Sequence, residues 1–412
     1  MKKQILIIFL LFSLGISAQM NKEKWTEDIK YLQSNLTNKH YNLFALRSEA
    51  DFTKDINNII AKTDKLSDFQ IALKLQQAIA KQGDTHTNLS LKNVIDKNQI
   101  LPLKSYFYGN DLYVTLTNSE NKELLGGKIL AVNGFDIKTV TDSLSTLFPN
   151  ENLGIFRNRI PEILPLSQVL KNFGFSKTDA IKIKFEKDGK ISEKTILPSA
   201  ITKENRVKIT PKNLTFVQES KKKYFEKKYF DQEKILYVLY NVCTTNEKNN
   251  PASDNPLSFE EFEDSVFKII NDNKVDKFIF DMRYNGGGSS KQGTKFIKKL
   301  AENKGINKKG HLFVILGRDT FSSAILNAAD FQDQTKAIFV GEETSGKPNH
   351  YGELQSLELP NSKLKLTYST FYFIRTKKKN VNTIKPDYLV ETSFNDYVNG
   401  IDPVFEFIKN YH

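Results

Sequence analysis

"VDKFIFDMRYNGGGSSKQGTKFIKKLAEN", residues 275–303, is the stretch on which the fold turns. Its opening "VDKFIFDM" is a short apolar run suited to a strand buried on both faces. Its closing "SKQGTKFIKKLAEN" spaces Phe296, Ile297 and Leu300 as a helix would, and three glycines join the two halves. The same alternation continues on both sides. "KILYVLYNV" (strand) and "SFEEFEDSVFKIINDN" (helix) precede it; "HLFVILG" (strand), "SSAILNAADFQDQ" (helix) and "KAIFVGEET" (strand) follow. Strands alternating with helices predict βαβ units and a mostly parallel sheet, with chemistry at the carboxyl ends of the strands.

The rest of the 412-residue chain divides by pattern. Residues 1–18 have two lysines, an apolar run and small residues up to Ala18, the layout of an export signal cleaved after that alanine. The run is too short for a stable membrane anchor. Residues 19–90 form an N-terminal helical segment that stops at Gly83, followed by an alternating "GDTHTNLSL". Residues 91–200 alternate as short strands with hairpin signals at "VNG" and "KDGK", a β-rich domain. Residues 201–232 are lysine-rich and irregular, a connector to a last domain over 233–412.

Hydrophobic content of 39% and charged content of 26% fit a folded chain. The net charge of +12 falls to +10 without Lys2 and Lys3. Its lysines are dispersed and not interleaved with aromatics, which argues against a nucleic-acid groove. The single cysteine, Cys243, excludes an internal disulfide and a cysteine-based zinc site.

Three strand-end loops can carry chemistry. "DMRYNGGGSS", 281–290, frees backbone N–H groups to face a ligand. It lacks the lysine followed by Ser or Thr that a phosphate loop needs, and Lys291 stands where a dinucleotide fingerprint needs its third glycine. "GRDTFSSAILNAA", 317–329, places Ser322 and Ser323 where a strand becomes a helix. Either they belong to the cap, together with Thr320, or one is a nucleophile exposed on a sharp turn. "GEETSGKPNHYGE", 341–353, carries Lys347, a general base if burial strips its charge and a surface lysine otherwise. His86, with Asp84 and Thr85 beside it, is a second candidate base or a satisfied structural histidine; His40, His311, His350 and His412 have no such setting.

In this order the three loops resemble the S41 family of serine peptidases, the carboxyl-terminal-processing or tail-specific proteases. "FIFDMRYNGGG" is similar to that family's D-L-R-x-N-x-G-G segment, "TFSSA" to its T-x-S-A segment and "VGEETSGK" to V-G-x-x-T-x-G-K. "LPNSKLKLTYSTFYF" and "IKPDYLV" resemble the strands that follow. The resemblance implies an α/β ClpP/crotonase-like catalytic domain with Ser322 as nucleophile. It makes Lys347 the partner of a Ser–Lys dyad. "GDTHT" resembles the histidine segment of the tricorn-like branch, which makes His86 the rival base. Backbone N–H groups of Gly287 or Gly288 and of Ser323 would hold the oxyanion. "LLGGKILAVNGFDI" resembles the core of a PDZ-like domain, though "LPLKSYFYG" lacks the G-L-G-F carboxylate loop. The expected activity is that of a periplasmic or secreted serine endopeptidase acting on proteins or peptides, with no metal or organic cofactor. The alternatives are an inactive peptide-binding protein on the same fold and an acyl-thioester hydrolase of the crotonase type.

Overall fold

The structure, a computed structural model, describes residues 20–245 and 257–412; the expected export signal lies outside them. Three helices open the described chain: α1 (Lys22–Lys39), α2 (Glu49–Ile60) and α3 (Asp68–Ala80), followed by the two-residue strand β1 (Asn88–Leu89). Each helix has a side-chain cap, and at α3 Ser67 and Gln70 form a reciprocal capping box. Trp25, Ile29, Leu32 and Leu36 line one face of α1 and are buried. That face does not close on the other helices alone. Leu359, Leu364, Leu366 and Tyr368, from far downstream, complete the same core.

The middle region holds β2 (Leu103–Tyr108), β3 (Asp111–Asn118), β4 (Lys128–Val132), β5 (Phe135–Asp136), α4 (Ile137–Leu144), α5 (Leu153–Ile163), α6 (Ser167–Asn172), β6 (Ile181–Lys187), β7 (Lys190–Ile196) and β8 (Arg206–Lys208). The strands run in the order β2-β3-β4-β6-β7, with β5 on β4 and β8 on β3. Asn133 and Gly134, and Asp188 and Gly189, all take positive φ, as tight two-residue hairpin turns demand. Between β5 and β6 the chain makes three helices that strand-like alternation did not announce. They pack apolar residues such as Ile155, Ile160, Val169 and Leu170 on the sheet.

The last region contains α7 (Phe216–Glu219), β9 (Phe225–Phe230), β10 (Ile235–Tyr240), α8 (Phe259–Asp272), β11 (Lys277–Asp281), α9 (Lys291–Glu302), β12 (Leu312–Leu316), α10 (Ser323–Gln334), β13 (Ile338–Gly341), β14 (His350–Glu358), β15 (Lys365–Phe373), β16 (Tyr388–Leu389), α11 (Phe394–Asn399) and α12 (Pro403–Lys409). A six-stranded sheet runs β16-β13-β12-β11-β10-β9, parallel throughout except for β9 against β10. Every residue of β10 is buried. Leu236, Val238 and Tyr240 face the core shared with α8, α9 and α10, while Ile235, Tyr237 and Leu239 face α12.

Two expectations change. The connector at 201–232 is not irregular throughout: it gives β8 to the middle sheet and β9 to the edge of the parallel sheet, where Lys228 is exposed. The hairpin β14–β15 leaves the parallel sheet and pairs with β1, so the segment around His86 is knitted to the last region.

Candidate active site

The glycine loop and the serine turn meet at the carboxyl ends of β11 and β12. Asp281, wholly buried at the end of β11, accepts the Tyr237 hydroxyl at 2.5 Å and the Arg283 backbone N–H at 2.9 Å. Arg283 also reaches Asp402, so this acid anchors the loop. Burial pushes its carboxyl up, against the pull of Arg283. Asn285 then fastens the two loops together. Its Nδ2 donates to Tyr240 O at 2.8 Å, its Oδ1 accepts Gly287 N–H at 2.9 Å, and its carbonyl accepts Phe321 N–H at 3.0 Å.

Gly287 (φ 106°) and Gly288 (φ 131°) lie in a region that L-residues avoid. A Cβ on Gly287 would sit 2.8 Å from Ser322 Cβ, and one on Gly288 would collide with the Cys243 carbonyl. The Gly287 N–H is taken by Asn285. Those of Gly288 and Ser323 have no acceptor among the described residues and frame the turn.

Ser322 stands at the N-cap position of α10 but makes no capping bond, and its backbone is at φ 53°, ψ −126°. Thr320 does not cap α10 either. Its hydroxyl donates to Met282 O at 2.8 Å and accepts Gly317 N–H at 3.1 Å, which closes the turn. Ser323 is occupied, donating to Gly288 O at 2.7 Å. Of the two serines, the one with the strained backbone is therefore the one whose hydroxyl makes no hydrogen bond among the described residues.

His86, 7% exposed, arrives from the N-terminal segment and stacks on Phe321, the neighbour of Ser322, at a ring-centroid distance of 4.5 Å. Both of its ring nitrogens are buried without a hydrogen-bond partner among the described residues. Burial lowers its pKa, against the opposing pull of Asp84, so the ring is neutral at neutral pH. Asp84 holds the segment in place: it accepts His86 N–H at 2.9 Å, Thr87 Oγ1 at 2.5 Å, Ser369 Oγ at 2.7 Å and His40 Nε2 at 3.0 Å. Burial alone would raise this carboxyl, but those four donors outweigh it and bring it to about 2.

Lys347 occupies the expected strand-end loop, yet its amine donates to Glu151 Oε1 at 2.6 Å. Among the described residues it makes no hydrogen bond to Ser322. Glu151 belongs to the loop before α5, which reaches across the site: Gly154 N–H donates to Glu343 and Asn158 Nδ2 to Asp319 Oδ1 at 2.7 Å. Burial raises the Glu151 carboxyl while Lys347 pulls it down.

His350, given no role by its sequence setting, lies against His86 at a centroid distance of 5.5 Å. Its place was unreadable because the segments carrying the two histidines are far apart in the chain and are brought together by the pairing of β1 with β15. Among the described residues no group of three or more His, Cys, Asp or Glu is arranged to hold a metal ion, and no helix is long and apolar enough to cross a membrane.

No curated protein sequence matches this chain. Solved structures do. A point mutant of CPAF aligns with TM-score 0.61 at 11% identity over 95% of this chain and 98% of its own. Mature CPAF complexed with lactacystin aligns with TM-score 0.61 at 13% identity over 94% of this chain and 97% of its own. At such identities the likeness speaks for the fold, a mixed α/β architecture shared along nearly the whole length. Residues 290–390 match the sequence model of peptidase family S41, a span that includes both serines of the turn, Lys347 and His350. The match over residues 290–390 and the shared fold make the chain similar to the serine-type peptidases of family S41.

Proposed function

We propose that the protein is an exported endopeptidase in which Ser322 attacks the peptide carbonyl and His86 takes its proton. The observation that carries this reading is the backbone of Ser322, held at φ 53° on a helix N-terminus without a capping bond. A serine that merely capped α10 would have extended backbone and a hydroxyl turned to the helix N–H groups.

Support for His86 over Lys347 comes from their partners. The lysine amine is held by Glu151, whereas the imidazole is neutral, has free nitrogens and packs on the residue next to Ser322. In the forward step the Ser322 oxygen bonds to the carbonyl carbon and its proton passes to His86. The oxyanion is met by Gly288 N–H and Ser323 N–H, each contributing about 3–4 kcal/mol of transition-state stabilisation. Collapse expels the amine, which takes the proton from His86, and water then hydrolyses the acyl-enzyme. We read the parallel-sheet region as ClpP/crotonase-like and the middle region as PDZ-like, and residues 1–18 as an export signal. Proteins or peptides in extended form are the substrates.

The test is digestion of an unfolded, labelled protein by wild type, Ser322→Ala, His86→Ala and Lys347→Ala. Expected are a digesting wild type and Lys347→Ala, with the other two inactive. Inactivity of Lys347→Ala beside an active His86→Ala would return the base to the lysine. Undiminished digestion by Ser322→Ala would make both serines structural. A wild type that binds the substrate without cutting it would favour a binding protein.

A further inference from the structure

The imidazole of His86 packs against two near-parallel rings. Phe321 lies at a centroid distance of 4.5 Å with an interplanar angle of 19°, and His350 at 5.5 Å with an angle of 13°. Among the described residues no hydrogen bond orients the ring. The carboxylate best placed to do so, Asp84, has Oδ1 3.9 Å from His86 Nδ1, and that oxygen already accepts the His86 backbone N–H. Its other oxygen is surrounded by His40, Thr87 and Ser369. What fixes the plane of the ring is therefore face contact.

His350 is itself well held. Its Nδ1–H donates to Lys347 O at 2.9 Å, its backbone pairs with Phe373, and the Phe373 ring packs against it at 5.7 Å. Burial, with His86 close by, lowers His350 to about 4, so at neutral pH it meets His86 as an uncharged ring.

We propose that His350 is a positioning residue: its ring clamps the His86 imidazole against Phe321, in the place where a serine-peptidase triad uses a hydrogen-bonded carboxylate. The inference rests on the reading of His86 as the base. It assigns a second job to the loop that carries Lys347, because Lys347 O receives the hydrogen bond that holds His350. What acts is the face of the ring and not its nitrogens, so an aromatic ring without nitrogen should serve and an aliphatic chain should not.

The experiment measures how fast a fluorophosphonate labels Ser322 over a concentration series, which separates the maximal rate from the half-saturating concentration without a known substrate. The full chain is compared as wild type, His350→Phe, His350→Leu, His350→Ala and His86→Ala, with the fold of each checked by near-ultraviolet circular dichroism. Leu and Ala at position 350 should lower the maximal rate about tenfold, the upper end of what one stacked pair contributes, with the half-saturating concentration little changed. His350→Phe should recover to within about threefold of wild type. A His350→Leu as fast as His350→Phe, or a His350→Phe as slow as His350→Ala, overturns the clamp. Wild-type rates at every position-350 variant beside an inert His86→Ala overturn the clamp alone. Wild-type labelling of His86→Ala removes the base reading, and the clamp with it. A wild type that is not labelled removes the nucleophile reading on which both depend.

Discussion

A backbone at φ 53° and ψ −126° costs a residue with a Cβ about 1–3 kcal/mol, and Ser322 carries that strain in a region where glycine is at ease. Ser322→Gly should therefore resist urea better than Ser322→Ala by about 1 kcal/mol while both are inactive. Equal midpoints would mean that the turn is not strained. The histidines make a second prediction. Unfolded, each takes up a proton near pH 6.5; folded, burial delays His350 to about 4. Between those values the unfolded chain binds the extra proton, so stability falls as pH drops, by about 3 kcal/mol for His350 across the window. Asp84 acts lower down: its stabilisation is present above pH 3.8 and lost towards about 2. Urea unfolding at pH 7 and pH 4.5 should show a smaller acid loss in His350→Phe than in wild type, and equal losses would place the His350 titration elsewhere. As the proposed base His86 must be neutral to act, so fluorophosphonate labelling should rise with pH through a midpoint below 6.5 and then level off. A rate still climbing above pH 8 would point to a lysine base. The two serines and the glycine loop were legible in the sequence because a strand, a turn and a helix follow one another within it. Their division of labour was not, since it depends on Gly288 O accepting from Ser323.

The helix α5 and the loop before it form the element that ties the middle region to the site. Lys347 bonds Glu151, Asn158 bonds Asp319, and a Cβ on Gly154 would lie 2.7 Å from Thr344 O. Removing one member of the Lys347–Glu151 pair leaves a largely buried partner without its counter-charge. Lys347→Met should therefore destabilise the protein by about 2–3 kcal/mol, and adding Glu151→Gln should restore part of that loss. Additive effects in the double-mutant cycle would show the pair to be uncoupled. Gly154→Ala should lower both thermal stability and labelling rate, because backbone on the opposite side cannot give way; an unchanged rate would separate α5 from catalysis. None of this was legible. The segment "LGIFRNRIPEI" has apolar spacing too loose to separate from its neighbours and a proline that argues against a helix, yet Pro161 is accommodated near the end of α5. Lys347 was found by its loop, but its bond to Glu151 was not legible, because that partner lies 196 residues upstream.

At the scale of the whole molecule, the parallel sheet was the most legible part. A strand such as "ILYVLY", buried on both faces, writes its environment into a continuous apolar run. The N-terminal helices were legible as helices but not as a lid on the hairpin β14–β15, because amphipathic spacing tells which face is covered and not what covers it. Leu359, Leu364, Leu366 and Tyr368 depend on that cover. A chain that starts at residue 98 should bind a hydrophobic dye strongly and elute as aggregate in size-exclusion chromatography; a monodisperse fragment would show that the hairpin needs no such cover. The bond between Ser369 and Asp84 also sets a clock. A ribosome releases residue 369 only after most of the 412-residue chain has been made, and until then the Ser369–Asp84 bond cannot help hold the histidine segment beside the serine turn. The growing polypeptide thus carries its histidine segment and its serine turn in separate stretches through synthesis, and this bond joins them only when the last strands have emerged.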